Sequence, residues 1–288
     1  MATLAVARNQ PGAPVVRQVS DRDLLRRFLE ADRLYAAYAI CDLDDQEFGR
    51  TRWSVAFRGE VPSSLVLEYS GASPQPLFVM GEPAGVEAIL RQLVRPRTAY
   101  LAARAEHLAA IAAHYRIDPG PAMVRMWVDR VHFRPFPAEV DRLLPVEAGD
   151  LNRLYGLGFA AWLPSSAIAE GVYYGIRVHG RLVSAAGTHV VSPDARLAVV
   201  GNVMTHAEFR GRGYATATTG AVTAELLRRC DQVVLNVRAD NAPALQAYRR
   251  LGYQEHVRFE ERLVHRTTPA WSGWTAPLRR LFTPRKES

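Results

Sequence analysis

The sequence predicts an α+β protein built from two similar units, and three observations carry that expectation. Short β-rich runs come in groups of three with only turns between them, too close for helical crossovers, so each group forms antiparallel strands. Each group is followed by a helix, a strand, a helix and a strand. The order occurs twice, before and after 134-RPFPAEVD-141.

In the first half, Ser20 followed by Asp23 reads as a capping box, and Leu24, Phe28, Leu29, Leu34, Tyr35 and Tyr38 recur at helical spacing. The runs 52–58, 64–70 and 76–80 are bounded by Gly, Pro and Ser, as strands are. Pro83 opens a helix over 83–93. A strand at 98–102, a helix at 104–115 and a long strand at 123–133 complete the half. The second half offers helices at 151–163 and 166–171, then strands at 172–180, 181–191 and 196–206 with turns at His179-Gly180 and 192–195. A helix at 213–229, a strand at 232–238, a helix at 243–251 and a strand at 253–264 follow. The expected division is an N-terminal unit over 1–137, a second unit over 138–265 and a basic, Trp-containing tail over 266–288.

Composition narrows the function classes. The 288 residues are 48% hydrophobic, enough for substantial cores, and carry 36 basic against 29 acidic residues for a net +7. Arg266, Arg279, Arg280, Arg285 and Lys286 less Glu287 supply +4 of that in the last stretch alone, so the remainder is only mildly basic and nucleic-acid binding is not expected. Cys41 and Cys230 lie far apart without CxxC spacing, which argues against a zinc site or disulfide framework and for buried thiols. No apolar run approaches the roughly 20 residues that span a bilayer. The start lacks the charged and apolar regions of a signal peptide, so a cytoplasmic protein without stable membrane insertion is expected.

The chemistry concentrates in 208-EFRGRGYATATTGAV-222. A Gly-rich turn that opens a helix presents unpaired N–H groups and the positive end of the helix dipole, and arginines add charge-assisted bonds. Phosphate or pyrophosphate is the ligand this suits. A P-loop is excluded because no Lys follows Gly213. A dinucleotide fold is disfavoured because the third glycine and the crossover topology are both missing.

Arg210-Gly211-Arg212-Gly213-Tyr214-Ala215 fits [QR]-x-x-G-x-[GA], and this segment resembles the acetyl-CoA loop of the GNAT acyltransferase superfamily. Downstream, 241-NAPALQAYRRLGY-253 is similar to that family's N-x-x-A-x-x-x-Y-x-x-x-G-[FY] segment, and 199-VVGNVMTHAEF-209 to its entry strand. The resemblance covers about residues 140–264. It implies two GNAT-like units, each a mostly antiparallel twisted sheet flanked by helices, with a splayed parallel strand pair holding CoA in the second. It further implies main-chain contacts to pantetheine from Val203, Met204 and Thr205. The pyrophosphate would lie on Gly211, Arg212, Gly213, Tyr214, Ala215 and Thr216 with Arg210 nearby, and Asn241 and Ala244 would contact CoA.

Tyr248 is the implied general acid, a phenol donating a proton as the thiolate leaves. The function so implied is transfer of an acetyl group from acetyl-CoA to an amine, small-molecule or peptide, without a metal. A catalytically silent acyl-CoA sensor is the alternative. Glu170, Tyr173, His189, His206 and Glu208 are candidates for the base, and no spacing singles one out. The first half has no such loop between residues 20 and 135, so it resembles a degenerate unit that walls the substrate cleft.

Overall fold

A strand-rich chain with four buried apolar clusters among the described residues forms one continuous sheet. The computed structural model describes residues 13–156 and 162–267. The tail from 268 onward, and the middle of the helix expected over 151–163, lie outside them.

The first half begins with β1 (Val15–Gln18) and α1 (Arg22–Leu29). Asp21, not Ser20, caps α1: its carboxylate accepts from the N–H groups of Asp23 and Leu24, both at 3.0 Å. The single helix expected through Tyr38 is broken, and helix resumes only at α2 (Ala37–Cys41). Asp32 explains the break. Its carboxylate takes the Tyr35 N–H at 3.2 Å, pairs with Arg104 and meets His256 Nε2 at 2.7 Å, which pins the bend to distant elements. After α3 (Asp45–Phe48) come β2 (Thr51–Arg58), β3 (Val61–Tyr69), β4 (Gln75–Gly81), α4 (Pro83–Gln92) and β5 (Thr98–Ala103). The helix expected at 104–115 shrinks to α5 (Leu108–Ala112), preceded by a 3-10 turn and followed by β6 (Tyr115–Ile117). β7 (Met123–Asp129) stops short of residue 133 because Asp129 Oδ1 accepts from the N–H groups of Val131 and His132, at 3.0 and 2.9 Å, and turns the chain.

The second half runs through β8 (Asp141–Arg142), α6 (Ala148–Tyr155), α7 (Ser165–Glu170), β9 (Tyr174–Val178), β10 (Arg181–Ser192) and β11 (Leu197–Thr205). Then follow α8 (Tyr214–Leu226), β12 (Gln232–Arg238), α9 (Ala242–Arg250) and β13 (Gln254–Arg266). The strand order among the described residues is β1-β2-β3-β4-β5-β13-β7-β12-β11-β10-β9-β8, with β6 beside β13. β4/β5 and β11/β12 are parallel and the other pairs antiparallel, so the α+β expectation holds.

Two strands join the halves. β13 pairs with β7 over Gln254 to Phe259 and with β5 over Glu260 to His265. β7, which precedes the sequence division at residue 138, lies between β12 and β13 and pairs with all seven residues of β12. Separate cores pack around α1, α2 and one sheet face, and around α8 and α9. The small residues of α8 allow close packing on the sheet: Thr216, Ala217, Thr218, Thr219 and Gly220 are all buried. Among the described residues no helix is long and apolar enough to cross a membrane.

Candidate functional site

The parallel pair β11/β12 is in register for only four residues, from Leu197 opposite Gln232 to Val200 opposite Leu235. Both strands run on, to Thr205 and Arg238, without further pairing to each other. The strands therefore splay. Asn202 sits just past the fork with φ +52°, and β10 carries two register shifts opposite the same region. Such irregularities increase local twist and re-aim a strand.

Below the fork the chain turns through 206–213 into α8. Gly211 and Gly213 have φ +77° and +80°, the left-handed conformation that residues with a Cβ rarely adopt. Gly213 caps the helix and no side chain bonds its first turn, so the N–H groups of Tyr214, Ala215 and Thr216 stay available to a ligand. Arg210 Nε donates to Thr205 O at 3.2 Å, tying the loop to the end of β11. Arg212 stacks on Phe209, its guanidinium carbon 5.2 Å from the ring centroid.

A cavity of about 580 Å³ opens at this point. Val203, Met204, Thr205, Arg210, Gly211, Gly213, Tyr214, Ala215 and Thr216 line one side, and Asn241, Ala244 and Tyr248 the other. Of the thirteen residues the sequence singled out, Arg212 alone is absent from the lining. The Thr205 carbonyl, expected to meet pantetheine, already accepts from Arg210.

On α9, Asn241 Oδ1 accepts from Ala244 N at 3.3 Å and so serves as the N-cap. Tyr248, one helix face along, is 6% exposed and packs on Tyr253 with ring centroids 6.1 Å apart. Burial pushes its phenol up to about 12. No group among the described residues hydrogen-bonds its hydroxyl, which leaves that hydroxyl free for a ligand.

The fork leads onward. A second cavity, of about 310 Å³, shares Val203, Asn241 and Tyr248 with the first and reaches His189 and Asn236. A third, of about 560 Å³, shares Met123, His189 and Asn236 with the second and lies between the two halves. The spaces thus form a path from the helix start, through the fork, to the interior between the units.

His189 stands at the junction. Its Nδ1 lies 2.6 Å from the Tyr38 hydroxyl and its Nε2 3.3 Å from Asn202 Oδ1. Nε2 also lies directly over Gly201, where a Cβ would come within 2.2 Å, so only glycine admits the ring there. His189 stays open to the path, and the protein packed around it holds its imidazole below the ordinary histidine range.

The other base candidates lie elsewhere or are engaged. The Tyr173 hydroxyl donates to Thr188 O at 3.0 Å and accepts from Asn202. His206 faces Arg181 at 2.9 Å and lies 3.7 Å from Glu208. Glu170 ends the exposed helix α7. A depression of about 650 Å³ beside His206 is lined by Asp150 and Arg177, which pair with each other at 2.7 Å. It includes none of the loop glycines.

Asp42, Glu47, Tyr38, Arg125, Asn236 and Glu261 around the third cavity were not signalled by the sequence. They come from five separate stretches, and only Tyr38 and Asp42, four residues apart at α2, are linked by spacing.

The first half contains an answering parallel pair, β4/β5, in register from Gln75 opposite Ala99 to Phe78 opposite Ala102. Here protein occupies the main chain beyond the pairing. The Tyr35 hydroxyl donates to Val79 O at 2.9 Å, and His107 Nε2 meets Gly81 O at 2.8 Å. The following helix starts at Pro83 behind Glu82, a carboxylate held by Arg58 at 2.6 Å, where an anion would be repelled.

Residues 173–263 match the family model described as FR47-like protein. None of the curated proteins compared matches the sequence. Among solved structures, the chain is similar to a Drosophila melanogaster protein at 14% identity and TM-score 0.63, over 88% of this chain and 98% of that one. A GCN5-related N-acetyltransferase from Sphaerobacter thermophilus gives 18% and 0.60, over 88% and 95%. A tandem GNAT protein from the clavulanic acid biosynthesis pathway gives 17% and 0.51, over 89% and 100%. At these identities the likeness is one of fold.

Proposed function

We propose that the chain is a GNAT-type, acetyl-CoA-dependent N-acyltransferase whose second unit, residues 138–265, carries the chemistry; the FR47-like match over residues 173–263 and the shared fold support that reading. The first unit, 1–137, is a degenerate partner that walls the acceptor side. The buried free thiols Cys41 and Cys230 suit the reducing cytoplasmic setting that belongs to this reading.

One observation carries the proposal. A strand fork that offers unpaired main chain opens between an uncapped helix start suited to pyrophosphate and an unpartnered phenol, Tyr248, within one connected space. Pantetheine would lie along Val203 in the fork, as an added strand does.

The acceptor reaches the thioester from the opposite side. Its nitrogen lone pair attacks the carbonyl carbon, forming the C–N bond. The C–S bond then breaks with its electron pair on sulfur, and the proton shed by nitrogen passes to the Tyr38 oxygen as the Tyr38 hydroxyl hands its own proton to His189 Nδ1. The Tyr248 hydroxyl donates to the departing sulfur. His189 suits the role of base because it stands where the path meets the acceptor side, and because its depressed pKa keeps it neutral at lower pH than an ordinary histidine. The acid limb of kcat/KM is accordingly expected to have its midpoint below the ordinary histidine value and to vanish in His189→Ala. An unchanged limb in that variant would assign the base elsewhere.

The direct test is incubation with acetyl-CoA and a panel of amines, with thiol release followed colorimetrically. Turnover with at least one amine is expected. Gly213→Val, which forces a branched residue into the left-handed conformation at the helix start, is expected to weaken CoA binding in calorimetry at least about tenfold. CoA binding without turnover on any amine would favour the silent sensor, and absence of CoA binding would remove both readings.

A further inference from the structure

The cavity between the two halves has an unsatisfied carboxylate. Its walls are largely apolar and aromatic: Leu67, Phe78, Met123, Tyr69 and Tyr100. Three acids enter it, and two are already engaged. Glu47 accepts from the Tyr69 hydroxyl at 2.6 Å and lies 3.4 Å from Arg50. Glu261 accepts from Asn236 Nδ2 at 2.7 Å and feels the charge of Arg125. The Asp42 carboxylate has no hydrogen-bond or ion-pair partner among the described residues. Burial, reinforced by Glu47 and Asp44, pushes it up to about 7.

Its position is fixed by α2. Tyr38 and Asp42 are four residues apart, so they share a helix face about one turn, or roughly 5 Å, from each other. Tyr38 touches His189, and Asp42 lines the same cavity about one helical turn from Tyr38. Arg125 does not neutralise it. That guanidinium donates to Asn236 and to the carbonyls of Leu34 and Tyr35, and it sits over the Phe259 ring at 4.9 Å.

A carboxylate enclosed by apolar walls is costly unless a cation meets it. The nitrogen that attacks a thioester must be neutral, so it cannot be the cation that Asp42 holds. We propose, resting on the transferase reading above, that the acceptor is a small molecule with two basic nitrogens on an apolar or aromatic spacer: one is acylated beside His189 and the other docks as an ammonium on Asp42. The faces of Tyr69 and Tyr100 suit a cation and its spacer. A space of about 560 Å³ lies within the range of small-molecule sites and does not admit a folded protein.

The probes are p-xylylenediamine and benzylamine, which differ by one aminomethyl group. In calorimetry at pH 8 the full chain is expected to bind the diamine at least about tenfold more tightly. Asp42→Asn should bring the two within about twofold while leaving CoA binding unchanged, and in thiol-release assays the effect should fall on KM with kcat largely kept.

Misfolding of the variant is distinguishable by its sign. A carboxyl whose folded pKa is raised weakens the fold increasingly as pH climbs from the unfolded value, near 4, to about 7. Asp42→Asn should therefore melt a few degrees higher than the parent at pH 8 and about equally at pH 4. Equal affinity for the two probes, binding of neither, or a preference that survives Asp42→Asn overturns the assignment. Diamine preference in binding with no thiol release would instead keep the site and reject the transferase reading. Thiol release with both amines and no preference would do the reverse.

Discussion

Tyr248→Phe is expected to lower kcat by roughly 10²- to 10⁴-fold while leaving acetyl-CoA affinity within about threefold, the range that loss of a positioned proton donor produces. The substitution removes one oxygen from a buried ring that packs on Tyr253. That oxygen has no protein partner, so no other group is left unsatisfied, and stability should change by no more than about 0.5 kcal/mol. A phenol held at about 12 stays protonated throughout the working range, so no alkaline limb should arise from it there. Single-turnover thiol release, with CoA binding by calorimetry, separates the chemical role from packing. A kcat within threefold of the parent would assign the proton donor to another group.

Arg125→Met is expected to destabilise the protein by about 3–5 kcal/mol, the range for breaking a buried charged network by removing one member. Arg125 is 2% exposed and lies on β7, the strand that crosses into the second half. Its loss would orphan Asn236 Oδ1 and the carbonyls of Leu34 and Tyr35, and leave Glu261 without its facing cation. Methionine restores the bulk but none of these bonds. Urea denaturation followed by tryptophan fluorescence measures the change. A loss below about 1 kcal/mol would mean that the shared strands alone hold the halves together.

Most elements were legible because their ends are marked locally. Pro83 at the first turn of α4, Asn241 at the cap of α9 and the turn at Gly180 each act on backbone within a few residues, so neighbouring residues suffice to find them. The misses share the opposite cause. The helix expected to continue through Tyr38 is interrupted by Asp32, whose partners Arg104 and His256 lie 72 and 224 residues away. The capping box at Ser20 gave way to Asp21, since adjacent polar residues compete for the same N–H groups and local pattern does not rank them.

The candidate site divides in the same way. By itself the sequence determined the Gly-rich helix start, the strand that leads to it and the helix that carries Asn241 and Tyr248. These features lie in main chain or in residues close along the chain, and their spacing is the geometry. Only the tertiary structure decided what lies beyond the strand fork. The insertion of β7 and the passage of β13 through both halves bring Tyr38, Asp42, Arg125, His189, Asn236 and Glu261 around one cavity. Their chemistry comes from mutual burial and charge, which no interval along the chain encodes.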